Sequence, residues 1–129
     1  MPGFDVSSTV KMNLPRIEKL TASAQKALEM TDAALLSEVK NAEVFPFDTD
    51  NLQNESTFSD YSGSEQGAVR LISDTVYGRR LYYHPEYNFN HKHNANAQGL
   101  WYRPWLEGGQ RDEFVPETFA RIYKELNNL

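Results

Sequence analysis

The sequence predicts one α+β domain: a long N-terminal helix packed on a small, mostly antiparallel β-sheet, with a second helix at the C-terminus. Three observations predict it. Ile17, Leu20, Ala24, Leu28, Leu35 and Val39 recur in steps of three, four and seven, so they line one face of a helix from Pro15 to about Asn41. Short segments of alternating apolar and polar residues flank a Gly- and Ser-rich stretch, the pattern of half-buried strands. Near the end, Val115, Phe119, Ile122 and Leu126 again share a helical face. A chain of 129 residues is long enough for a single core, so residues 1–129 form one domain.

In chain order, Phe4, Val6, Val10 and Met12 alternate with polar residues and predict a strand. The long helix follows. Asn13 is its expected cap, and Pro15 suits the first turn because the missing N–H there needs no partner. Glu18, Lys19, Lys26, Glu29 and Lys40 occupy its wet face. Pro46 restricts Phe45 to extended backbone and so marks the helix end, with Phe45 and Phe47 expected as core anchors. Asp48 or Thr49 can cap a short turn through Leu52.

Glu55–Asp60 and Ala68–Val76 predict a hairpin with a loose tip at Tyr61–Gly67. Thr57 and Ser59 fall on one side of its first strand and Phe58 on the other. In its second strand Val69 and Leu71 share a face, and Ile72 and Val76 lie partly on the other. Tyr77–Pro85 predicts a short helix. Glu86–Gln98 is polar, rich in Asn and His and without apolar periodicity, which predicts an exposed, mobile loop. Asp112–Leu126 predicts the final helix, with Pro116 and Glu117 in its first turn, where a negative charge meets the positive end of the helix dipole.

Composition narrows the function classes. The chain has no cysteine, which excludes disulfides and thiolate metal sites and fits a reducing compartment. No run of eighteen apolar residues predicts a membrane span, and the N-terminus lacks the pattern of a signal peptide. A net charge of −5 disfavours binding along a phosphate backbone, so no sequence-specific nucleic-acid partner is expected; stacking of exposed rings on a single strand is a rival use that would need a basic groove. Residues 15–60 hold four basic and nine acidic side chains, and residues 61–103 hold five basic and three acidic ones. Opposite local charge would suit head-to-tail packing of copies, although scattered solvated charge explains the same counts.

Candidate chemistry is sparse. His91 and His93, two apart in an extended loop, can point to one side and share a metal with His84, given a carboxylate such as Glu86. A polar loop without an apolar wall holds such ligands poorly. Asp48 with Asp50 and Asp112 with Glu113 form acid pairs, but helix or turn capping explains them more simply than a hydrolytic cleft. Nucleophile-elbow, phosphate-loop and dinucleotide motifs are absent. The aromatic group is more informative. Tyr82, Tyr83, Tyr87, Phe89, Trp101, Tyr102 and Trp105 fall within 24 positions. A domain this small has little interior left for them, so some are expected at a protein–protein surface, together with His91 and His93. On that expectation, Trp105→Ala or deletion of residues 88–96 spares the fold and blocks assembly.

Two stretches carry a family likeness. Residues 45–56, FPFDTDNLQNES, directly after the long helix, resemble the P-x-D-T-G-x-L-x-x-S segment of the small minor capsid and tail-completion proteins of tailed bacteriophages. Residues 77–105, ending NANAQGLWYRPW, resemble that family's Y-x-x-x-x-Y stretch, in which an Asn- and Gly-containing loop leads to a Trp and a C-terminal helix. The resemblance implies an α+β structural protein of the virion, made in the bacterial host cytoplasm and placed at the head–tail junction. There it implies a ring of copies contacting the connector or adaptor and the tail-tube or tail-terminator proteins, without enzyme activity or cofactor. It also implies loops that order on docking, a role that suits Glu86–Gln98. Two alternatives stay open: a metal-dependent enzyme using His84, His91 and His93, and a host-directed regulator that binds one cellular protein.

Overall fold

The structure, a computed structural model, describes residues 8–13, 21–45, 57–75, 78–87, 89, 91 and 94–128. Three strands, β1 (Ser8–Asn13), β2 (Thr57–Asp60) and β3 (Arg70–Thr75), form one sheet in the order β1-β3-β2. Both pairings are antiparallel, with Ser8 opposite Thr75 and Thr57 opposite Ser73. Helix α1 (Ala22–Asn41), a short helix α2 (Gly78–Tyr82) and helix α3 (Phe114–Leu126) complete the α+β architecture. The sheet puts Leu71 and Ser73 of β3 on the same face as Thr57 of β2, and these three residues are buried. Phe58 on the opposite face is exposed.

Helix α1 starts at Ala22, later than the expected Pro15. Thr21 has extended backbone (φ −107°, ψ 167°), and its side chain accepts a hydrogen bond from the Ala24 N–H at 3.1 Å, so it is the cap. Asn13, the expected cap, is instead the last residue of β1, opposite Arg70. Pro15, Ile17, Glu18, Lys19 and Leu20 lie outside the described residues, as do Phe4, Val6, Phe47, Asp48, Thr49, Asp50, Leu52, Glu55 and Val76. The rest of the expected apolar face, Ala24, Leu28, Leu35 and Val39, is buried. Ala27, Thr31 and Asp32 join it. Thr31 satisfies its hydroxyl on the Ala27 carbonyl at 2.7 Å, one turn back, and so packs as an apolar residue.

Helices α1 and α3 run antiparallel along each other. Ser23 near the start of α1 donates to the Asn127 side chain just past α3, at 3.1 Å. At the other end Glu38 accepts from Arg111 and, at 3.4 Å, from the Trp105 indole. Helix α3 buries Val115, Thr118 and Ile122 and packs Phe119 against the core, but Leu126, expected on that face, is 40% exposed. Asp112 accepts from the Gly108 N–H at 3.2 Å and braces that turn.

The hairpin tip is ordered rather than loose. A 3-10 turn at Ser64–Gln66 ends on Gly67, whose φ of 83° suits a residue without a Cβ. The buried Ser64 hydroxyl accepts from Gln25 of α1 at 3.3 Å, tying the tip to the helix.

Candidate functional site

The aromatic stretch divides into an inner and an outer set. Trp101 is 0% exposed, and Tyr82, Tyr102 and Trp105 are buried with it. Phe45 stands within 5.8 Å of Trp101 and edge-on to Tyr102 at 6.3 Å, while Tyr82 meets Trp101 edge-on at 4.8 Å. Edge-to-face packing sets the positive rim of one ring against the negative face of the next. Burial pushes the Tyr82 phenol up to about 12 and raises Tyr102 as well. The Tyr102 hydroxyl is hydrogen-bonded to Ser73, and Ser73 to Thr57 at 3.0 Å, so a chain of hydroxyls crosses the inner sheet face. These four rings are therefore the centre of the core and not contact residues, which corrects the surface role expected of Tyr82, Trp101, Tyr102 and Trp105. The reason lies in local geometry: the 3-10 turn at Arg103–Trp105 carries Trp105 inward, and beside Trp101 the Leu100 N–H donates to the Tyr82 carbonyl at 2.7 Å, tying that segment to the end of α2. A Cβ on Gly99 would stand 2.8 Å from the Pro85 Cα, so the chain here passes where any larger residue would clash with backbone.

Tyr83 remains outside, 58% exposed. It meets Tyr82 edge-on at 5.0 Å and marks a surface group at the end of α2. His84 stacks on Tyr87 at 4.7 Å and 9°, and Phe89 lies 6.5 Å from Tyr87. The Arg80 Nε donates to the Tyr87 hydroxyl at 3.1 Å. His84 Nδ1 and Glu86 are 2.8 Å apart, and that hydrogen bond lowers the Glu86 pKa. Tyr, Arg and stacked rings on a rigid base are the residue types that dominate protein–protein hot spots.

The segment expected to be a mobile loop is partly a strap. Where α1 ends at its cap Ala42 the chain leaves the helical ladder, and residues 94–98 supply donors to the carbonyls of residues 42–45 that follow. Asn96 donates its side-chain amide to the Ala42 carbonyl at 3.0 Å and its backbone N–H to Glu43 at 3.1 Å. The Gln98 N–H donates to Val44 at 3.0 Å, and the buried Asn94 amide donates to Phe45 at 3.0 Å. The Ala95 N–H reaches the Glu43 carboxylate at 3.3 Å, which helps hold Glu43 in its left-handed backbone, φ 58°. Asn94→Ala leaves the Phe45 carbonyl without this donor in the interior, and an expected loss of about 1–3 kcal/mol follows, read by urea denaturation.

The histidines do not converge among the described residues. His84 is held by Glu86 and Tyr87, whereas His91 Nε2 donates to the Ala97 carbonyl at 2.9 Å, within the strap. His93 lies outside the described residues, and among those no group of three His, Asp or Glu could hold a metal ion. No helix among them is long and apolar enough to cross a membrane.

One interior group has no counterpart in the sequence reading. Asp32 is 0% exposed at the contact of α1 with β2, and neither carboxyl oxygen has a hydrogen bond of good geometry, the Ser59 hydroxyl being the donor nearby. Burial pushes its pKa from the ordinary 3.8 up to about 7, with Asp60 adding to the rise and Ser59 opposing it. The signal that could have found it is the step of seven between Leu28 and Leu35: a helix face cannot skip a turn, so positions 31 and 32 must also point inward.

Compared with known proteins, the chain matches no family model, no curated protein and no solved structure.

Proposed function

We propose that this chain is a structural virion protein of a tailed phage or prophage that joins head to tail as a neck or tail-completion ring. The resemblance of residues 45–56 and 77–105 to the minor capsid and tail-completion family carries the reading. The α+β fold, with α1 before the sheet strands β2 and β3 and α3 at the C-terminal end, is compatible with that reading. In this reading the work is geometric and needs neither catalysis nor cofactor. The core and strap hold a shape, and the patch of Arg80, Tyr83, His84, Tyr87 and Phe89 supplies contacts to neighbouring copies, the connector and the tail. A closed ring requires heterologous contacts, one patch meeting a different patch on the next copy.

Tyr83→Ala and Tyr87→Ala test the patch. Tyr83 follows α2 at the surface and Tyr87 lies half-buried a few residues further on, both outside the core cluster, so each variant is expected to fold with stability within about 1 kcal/mol of the native chain. Complementation with either should leave heads and tails unjoined by electron microscopy. Normal yields of joined particles from both would refute a contact role for this patch.

A further inference from the structure

Among the described residues strand β2 is a four-residue edge strand, hydrogen-bonded to β3 on one side, and α1 packs against it, with Asp32 at the contact. The charge that faces Asp32 shares its sign, Asp60 on β2; Asp32 and Glu29, one turn earlier on α1, in turn raise the pKa of the Tyr61 phenol. The neutral groups around it are Ser59 and the phenols of Tyr61 and Tyr102. Among the described residues no cation pairs with it. On β3, Arg70, opposite Asp60, is turned to solvent. Glu65 of the hairpin tip is exposed, as are Glu117, Arg121, Lys124 and Glu125 of α3. The buried Ser59 hydroxyl, on the strand facing the carboxyl, meets neither oxygen in good hydrogen-bond geometry but is close enough to favour the charged form in part.

We propose that Asp32 is a proton-controlled latch, holding α1 against the edge strand β2 while its carboxyl is neutral and releasing that edge when it ionises. A buried carboxylate with one nearby hydroxyl for a donor, and no counter-charge among the described residues, is a costly group for a core to hold, whereas the neutral acid is tolerated. Relief comes from letting water reach the group. The element that yields is the one with least to lose, a short strand paired on one side, while the aromatic core and the strap stay closed. The rise of the Asp32 pKa to about 7 puts the transition near neutral pH.

Hydrogen exchange of the full chain, read by mass spectrometry at pH 6 and pH 8 and corrected for intrinsic rates, tests this. Protection of the β2 amides should fall about tenfold or more, while that of Asn96 and Gln98 in the strap is unchanged. Asp32→Asn carries no charge at either pH and should abolish the fall. Equal β2 protection at both pH values, or an undiminished fall in the Asn variant, overturns the latch. Should that variant fail to fold, carbon NMR of the native Asp32 carboxyl decides. Titration near neutrality supports the latch, and titration in the ordinary carboxylate range refutes it.

Discussion

Replacing Trp101 by alanine is expected to cost about 3–5 kcal/mol of unfolding free energy, the range for deleting a fully buried indole. Trp101 has no exposed surface and joins three parts of the chain: Phe45 beyond the end of α1, Tyr82 at the end of α2, and Tyr102 beside it. No single neighbour can move into the space, because each ring is held by the others and by the sheet. Domains of this size have about 5–15 kcal/mol in total, so the variant sits near the edge of folding. Urea denaturation measures it, with Tyr83→Ala as the surface control, expected within about 1 kcal/mol of the native chain. Equal losses in the two variants would mean that the inner and outer rings are not distinguished as described. The burial of Trp105 and the strap bonds of Asn94 and Asn96 carry a related consequence. Trp105→Ala and deletion of residues 88–96 are expected to unsettle the fold itself, and neither cleanly separates assembly from stability.

The second large effect is a loss of stability with rising pH. The folded chain keeps a proton on Asp32 up to about pH 7, whereas the unfolded chain releases it near the ordinary value of 3.8. Between those limits the folded state binds more protons than the unfolded state, so stability falls as pH rises through the window and levels off above it. At about 1.4 kcal/mol for each unit of pKa difference, the full window is worth about 4 kcal/mol as an upper bound. Urea denaturation at pH 5 and pH 8 should therefore show a weaker chain at pH 8, with the difference largely gone in Asp32→Asn. Glu86, whose pKa is lowered by His84, works in the opposite direction but is fully exposed to water and is screened accordingly. A native chain more stable at pH 8 than at pH 5 would contradict the burial of an unpaired acid.

Much of the architecture is legible in the sequence because hydrophobic periodicity reports it directly. Leu28, Leu35 and Val39 of α1, Val115 and Ile122 of α3, and Leu71 of β3 are buried as their spacing requires. Phe45 is the anchor its place after the helix suggests. Three features escape that signal. Asp32 interrupts the apolar stripe, and a polar letter on a helix reads as solvent-facing unless the gap around it is questioned. The strap, Asn-Ala-Asn-Ala-Gln, looks like a solvated loop because its work is done by amide hydrogen bonds to carbonyls some 50 residues away in sequence, which hydropathy does not register. The rings of residues 82–105 have no helical or strand period to assign them a side, since Tyr82 ends a five-residue helix, Trp105 ends a 3-10 turn and the others lie in neither. A count of aromatic residues therefore locates a cluster without saying which members are inside. The resulting patch is smaller than the expected set: Tyr83, Tyr87 and Phe89 with Arg80 and His84.

The central claim is that the chain connects heads to tails by shape and contact. Electron microscopy of particles from a strain lacking this gene addresses it most directly. The account predicts filled heads and finished tails lying separate, restored to whole virions when the native chain is supplied. Joined, complete virions at normal yield without the gene would contradict it.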